Sequence, residues 1–82
     1  MKALRFEEIE KNKMYWDNKE KVMFQVLWVE THTETWITGT IKTFNYIARK
    51  HPKNNEYRQL VEFETDRFYK CKNDVEVKNE TK

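Results

Sequence analysis

The chain contains no serine, and only one cysteine, one glycine and one proline occur among its 82 residues. The absence of serine excludes a serine nucleophile, and a single cysteine excludes an intramolecular disulfide. One glycine is too few for a glycine-rich phosphate loop. No apolar run approaches the roughly 20 residues that a membrane-spanning helix needs. We therefore expect a protein that is not an enzyme, binds no cofactor and does not cross a membrane.

The residue types that most often carry catalysis or bind metals are scattered along the chain. Cys71 lies in an alternating apolar pattern, where a buried structural thiol is the expected role. His32 and His51 fall in separate predicted loops, without Cys, Asp or Glu nearby at metal-ligand spacing. We expect both histidines to be solvated loop residues, and we predict no metal site.

Composition is typical of a strongly solvated globular domain, with 37% charged and 15% aromatic residues. The length allows one domain, which we predict over residues 1–77 with a flexible tail at 78–82. The net charge is +2, too close to zero to indicate nucleic-acid binding by itself. Residues 1–13 lack the apolar core of a signal peptide, so the cytoplasm is the expected location.

The stretch KVMFQVLWVE, at residues 21–30, is predicted to be a strand, yet it is apolar in both of its alternating phases. A loop at 31–34 would join it to a second strand over residues 35–48, with Val26 opposite Gly39. Having no side chain, Gly39 would let this second strand bend sharply, as strands of small barrels do. One face of this hairpin is then part of the core. The other face is also apolar, so we expect another segment or another protein to shield it from water.

A second hairpin is predicted after a turn-forming loop at residues 49–55. Residues 56–64 alternate between apolar and polar side chains, and a further strand begins at Phe68. A three-residue loop between these strands sets Val61 opposite Cys71 and matches opposite charges on the outer face. This register predicts an antiparallel pair of strands at the end of the chain.

The N-terminal part of the chain is predicted to hold a short strand at residues 14–16, followed by a turn at 17–20. Residues 6–10 have a charge pattern that favours a short helix before that strand. The total is about five antiparallel strands in meander order. The expected fold is therefore all-β, a small SH3-like barrel with a short N-terminal helix as an optional element.

The short meander, with WITGTI at residues 36–41 in a bent second strand, resembles the small SH3-like barrel proteins that tailed bacteriophages encode. The resemblance covers residues 13–77 in pattern and transfers no functional residue. It implies a non-enzymatic accessory protein that binds host or phage machinery, in the host cytoplasm if a phage encodes it.

The second apolar face of the first hairpin is the leading candidate for a protein-binding site. Its members are Met23, Leu27, Val29 and Trp36, whereas the same register assigns Trp28 to the core. A second copy of the chain or a different protein could cover this face, with Trp36 as the anchor. We favour a third cover, the N-terminal segment. Its apolar side chains are Leu4, Phe6, Ile9 and Trp16.

A basic and aromatic segment at residues 42–58 is the alternative site, and it would bind nucleic acid. Basic side chains neutralise phosphates, while aromatic rings stack on unpaired bases. So few positive charges predict weak, salt-sensitive binding. The residues of this alternative site are Lys42, Phe44, Tyr46, Arg49, Lys50, Lys53 and Arg58.

Overall fold

The computed structural model describes residues 3–75, which form one five-stranded antiparallel sheet and two single 3-10 turns. The strands are β1 (Met14–Asp17), β2 (Val22–Thr35), β3 (Ile41–Lys50), β4 (Arg58–Glu62) and β5 (Phe68–Tyr69). Their spatial order is β4-β3-β2-β1-β5, so the sheet is open, with β4 and β5 at its two edges. The predicted all-β fold of about five antiparallel strands is confirmed.

The central strand β2 belongs to both halves of the sheet. Its first half pairs with β1 and its second half with β3, and the two halves meet at a bulge between Val26 and Trp28. The extra residue, Leu27, reverses the alternation of the strand. Val26 is buried on the core side of the sheet before the bulge, and after it Val29, opposite buried Ile47, lies on the same side but is 36% exposed. The bulge therefore brings residues of both phases of this stretch to the same side of the sheet.

The first hairpin turns later than predicted. Residues 31–34 continue β2, and the loop is Ile37–Gly39, with Thr35 opposite Ile41. The N–H of Trp36 donates to the C=O of Thr40, and the N–H of Gly39 donates to the C=O of Trp36, both at 2.8 Å. Gly39 has a φ of +88°, which is what the last position of a three-residue hairpin loop requires. The predicted loop and the predicted bend at Gly39 are therefore wrong.

The predicted second hairpin is also wrong. β4 pairs with β3, so Val61 lies opposite Ile47 instead of Cys71, and β5 pairs with β1 at the other edge. The fully buried ring of Phe68 packs between those of Phe24 and Phe63, at centroid distances of 5.7 and 5.6 Å. Burying Phe68 in the core outweighs the local pairing that the alternating pattern favoured. Cys71, predicted to be buried, is half-buried.

The N-terminal segment covers the core face of the sheet, not the outer face on which it was expected. Leu4 and Ile9 are buried in the main apolar cluster, and Phe6 meets Phe63 edge-on at 5.6 Å. Only one 3-10 turn, Phe6–Glu8, forms where a short helix was an option. The buried cluster consists of Leu4, Ile9, Tyr15, Phe24, Val26, Ile47 and Phe68.

The predicted strand at residues 14–16 and the turn after it are confirmed as β1 and a tight turn into β2. The predicted tail at 78–82 lies outside the described residues. Within residues 3–75, no helix is long and apolar enough to cross a membrane.

Candidate functional site

A two-stranded ribbon extends beyond the rest of the sheet. β1 pairs with β2 only as far as Gln25, and β4 pairs with β3 only from Tyr46 onwards. Residues 31–35 and 41–45, which we call the ribbon, therefore pair only with each other in the part of the chain that the structure describes. The five pairs between Thr31 and Thr35 make it roughly 15 Å long. Every residue from 28 to 43 is exposed.

One face of the ribbon is lined by aromatic rings. The register places Trp28 opposite Ala48 and His32 opposite Phe44, so even-numbered residues of both strands share this face. The opposite face carries threonines, with Thr33 opposite Thr43. We call the first surface the aromatic face. Its aromatic members are Trp28, His32, Trp36, Phe44 and Tyr46.

Contacts at the tip of the ribbon hold these rings in place. The His32 ring stacks on Phe44 at a centroid distance of 6.4 Å. The Nζ atom of Lys42 lies 4.7 Å from the centroid of the Trp36 ring, and the indole Nε1 of Trp36 donates to Glu34 at 3.2 Å. A cation over an exposed aromatic ring contributes about 0.5–1 kcal/mol. Trp36 is thus oriented while 46% of its surface stays exposed.

A second group of contacts orients Trp28 at the base of the ribbon. Its indole Nε1 donates to Glu30 at 2.8 Å, and the guanidinium of Arg58 lies 5.7 Å from the ring centroid. Ala48 pairs with Trp28 on one neighbouring strand and with Leu60 on the other, and it is only 1% exposed. Trp28 remains 36% exposed and belongs to the surface, although the sequence pattern assigned it to the core.

The charge of the aromatic face is balanced. Its basic side chains are Lys42, Lys50 and Arg58, and its acidic ones are Glu30, Glu34 and Glu62. Acidic groups among the rings repel phosphates and so offset the attraction of the basic side chains for a nucleic-acid backbone.

The structure does not bring the four residues of the predicted protein-binding face together. Met23 lies opposite Trp16 in the other half of the sheet, and Leu27 is the extra residue of the bulge. Val29 points to the threonine side of the ribbon, while Trp36 lies at its tip. The bulge separates them, because it reverses the faces on which alternate residues of β2 lie.

The residues of the predicted nucleic-acid site are divided differently. Lys42, Phe44, Tyr46, Lys50 and Arg58 lie on the aromatic face, and Lys53 lies in the loop between β3 and β4. Arg49 is fully buried and faces the core, where no phosphate can reach it. Its inclusion in a surface site is therefore wrong.

Sequence reasoning missed Trp28 and His32 as members of one surface. From Trp28 to Trp36, large or charged residues alternate strictly with Val29 and three threonines. Threonine favours strands, so this alternation could have indicated a single strand running through residues 31–34.

A buried ion cluster lies at the other end of β2, around the carboxylate of Asp17. Arg49 Nη1 donates to Asp17 Oδ2 at 2.6 Å, while Arg67 donates through Nε and Nη2 at 2.8 Å each. Burial alone would raise the pKa of Asp17. Hydrogen bonds from Arg67 and Arg49, and from the backbone N–H groups of Glu20 and Lys19, hold this pKa at about 2. The carboxylate accepts five hydrogen bonds and so fixes both guanidinium groups in the core.

Residues 3–75 contain no group of three or more His, Cys, Asp or Glu side chains that could hold a metal ion. No protein-family model matches the chain, and no curated protein or solved structure is significantly similar to it.

Proposed function

We propose that this protein is a small, non-enzymatic binding module that docks on a larger protein through the aromatic face of its ribbon. The observation that carries this proposal is the pair of exposed, oriented indoles, Trp28 and Trp36, on an element that extends beyond the core. Trp, Tyr and Arg dominate the binding energy of protein interfaces, and Tyr46 and Arg58 lie on the same face. The resemblance to phage SH3-like proteins suggests a component of host or phage machinery as the partner.

The ribbon is also suited to docking for an energetic reason. An isolated two-stranded hairpin is marginally stable in water, and a further protein layer stabilises it. Contacts such as the His32–Phe44 stack keep the rings ordered before binding, which lowers the entropy that binding costs. The balanced charge of the face favours a protein over nucleic acid as its ligand.

We expect Trp36→Ala and Trp28→Ala each to weaken partner binding by about 2 kcal/mol, or roughly thirtyfold in Kd, because each removes a large apolar anchor. The measurement is affinity capture from host lysate with the full chain as bait, with and without nuclease. Captured proteins are identified by mass, and the affinity of the retained protein is then measured by titration.

The matched controls are Thr33→Ala and Thr43→Ala, which change the opposite face of the same ribbon. They should bind like the unmodified protein. Equal losses in all four variants would contradict the proposal, as would retention of the partner by both tryptophan variants. Capture that disappears with nuclease would assign the surface to nucleic acid and leave Lys42, Lys50 and Arg58 as the residues to test.

A further inference from the structure

Within residues 3–75, the ribbon has a free backbone edge along β2. The chain before β2 occupies that edge only as far as Val26, whose C=O and N–H bond to Asn12 and Lys13 at 2.8 and 2.9 Å. From Trp28 to Thr35, β2 is paired only with β3 among the described residues. Neither a proline nor a bulge interrupts this stretch. A strand edge of this kind is a template for pairing with another strand.

Alternate residues of β2 direct their backbone groups towards this open edge. The N–H of Trp36 donates to the C=O of Thr40 at 2.8 Å, so even-numbered residues of β2 bond to β3. The hydrogen bonds of β3 show the same alternation. Asn45 lies opposite Thr31, and its C=O points away from β2, because it accepts a hydrogen bond at 2.8 Å from the N–H of Phe63, outside the ribbon. The residues that direct their N–H and C=O outwards are Val29, Thr31, Thr33 and Thr35.

We infer that a second copy of this chain pairs with the open edge of β2, antiparallel and with the two-fold axis at Thr33. In this register, Thr31 of each copy lies opposite Thr35 of the other, and the outward backbone groups form about six intermolecular hydrogen bonds. His32 already contacts Glu34 of its own chain at 3.2 Å, and in the dimer it also lies opposite Glu34 of the other copy on the aromatic face, so no like charges face each other there. Threonine pairs line the opposite face.

Charge and available space select this register over its neighbours. A hydrogen-bonded edge requires that residues whose backbone groups point outwards lie opposite one another, and in β2 these are the odd-numbered residues. The two-fold axis can therefore pass through any one residue of the strand, but not between two residues. With the axis at His32, Glu30 would oppose Glu34, and with the axis at Glu34 the two Glu34 carboxylates would oppose each other, so both neighbouring registers bring like charges together. With the axis at Thr31, the turn of the second copy would meet Val26, whose backbone already bonds to Asn12.

The pairing is isologous, so it closes after two copies and leaves no further β2 edge for extension. It joins two marginal two-stranded ribbons into one four-stranded sheet, which exceeds the three strands that a sheet with an apolar face needs for independent stability. Both aromatic faces lie on the same side of that sheet. The inference concerns the strand edge and does not depend on what binds the face.

Sedimentation velocity of the purified full chain, from micromolar to several hundred micromolar, tests this inference with two matched variants, Thr33→Pro and Thr43→Pro. Each proline removes an N–H that points out of the ribbon, and so spares the β2–β3 ladder. We expect a concentration-dependent dimer for the unmodified protein. Thr33→Pro should raise the dimer Kd at least tenfold, while Thr43→Pro, on the other edge, should leave it within about twofold.

A chain that stays monomeric throughout the concentration range would overturn the inference. So would a Thr33→Pro variant that dimerises normally, or a Thr43→Pro variant that loses the dimer equally. Circular dichroism confirms the fold of each variant. If a proline disturbs the fold, Thr33→Asp and Thr43→Asp provide the same comparison. Only Thr33→Asp places two negative charges opposite each other at the two-fold axis of the dimer. Trp36→Ala should still dimerise, which separates this result from failure of the proposed function.

Discussion

At the scale of single residues, Asp17 is the most strongly constrained group in the protein. Its carboxylate connects β1 to β3 through Arg49 and to the chain before β5 through Arg67. Arg67 in turn bonds to Glu64 at 2.7 Å, and Gln59 accepts from Arg49 Nε at 2.8 Å. Removing one member of a buried ion cluster leaves an uncompensated charge, which is strongly destabilising.

The lowered pKa of Asp17 makes the fold sensitive to acid. Because the folded value of about 2 lies below the ordinary value of 3.8, the ionised carboxylate stabilises the protein above pH 4. We expect this contribution of about 2 kcal/mol to be lost as the pH falls from about 4 to 2. Urea unfolding at a series of pH values measures it.

The control for this prediction is a pair of matched variants. Asp17→Asn should be less stable at pH 7 and should lose less stability on acidification than the unmodified protein. Asp66→Asn changes an exposed carboxyl that forms no ion pair within residues 3–75, and it should keep the original acid dependence. An Asp17→Asn variant with an unchanged pH profile would show that the cluster is not the origin of the acid sensitivity.

The ionic partners of single buried residues could not be predicted from the sequence. Arg49 was assigned to a basic surface because Lys50 and Lys53 are its neighbours in the chain. Its actual partner, Asp17, is 32 residues away. The identity of a buried counter-ion depends on which strands become neighbours, and local charge patterns do not contain that information.

At the scale of elements, the ribbon depends on one backbone position. Gly39 has a positive φ, and a Cβ atom there would meet nothing within 4 Å, so a substitution costs only backbone strain. We expect Gly39→Ala to lower the free energy of unfolding by about 1 kcal/mol. Asparagine tolerates positive φ better than alanine, so Gly39→Asn should cost less.

Urea unfolding of the two variants side by side checks the role of this glycine. If Gly39 were instead the bend of a long strand, as the sequence pattern predicted, then alanine would be tolerated at least as well as asparagine. The order of the two variants therefore distinguishes a hairpin loop from a bent strand.

At the scale of the whole molecule, the N-terminal segment completes the core. Ile9 is 5% exposed and lies in the same cluster as Phe24 and Phe68, which come from the two halves of the chain. In a chain of this length, a large part of the unfolded surface stays exposed on folding, so each buried apolar side chain matters.

We expect Ile9→Ala to destabilise the fold by about 2–5 kcal/mol, since it removes buried methyl groups and leaves a cavity. Ile37→Ala is the matched control, because Ile37 is 106% exposed in the hairpin loop. It should change the free energy of unfolding by less than about 0.5 kcal/mol. Thermal and urea unfolding of both variants provide the comparison, and equal stabilities would contradict the placement of the N-terminal segment.

The sequence by itself determined the all-β class, the number of strands and the turn after β1, because these depend on alternation and on local turn chemistry. Only the tertiary structure decided which strands pair, where the bulge lies and which face each aromatic side chain occupies. A one-residue bulge at Leu27 reverses every face after it, and nothing in the local apolar pattern marks its position. The position of β5 was decided by the burial of Phe68 and by the bonds from Arg67 to Asp17, interactions between residues far apart in the chain.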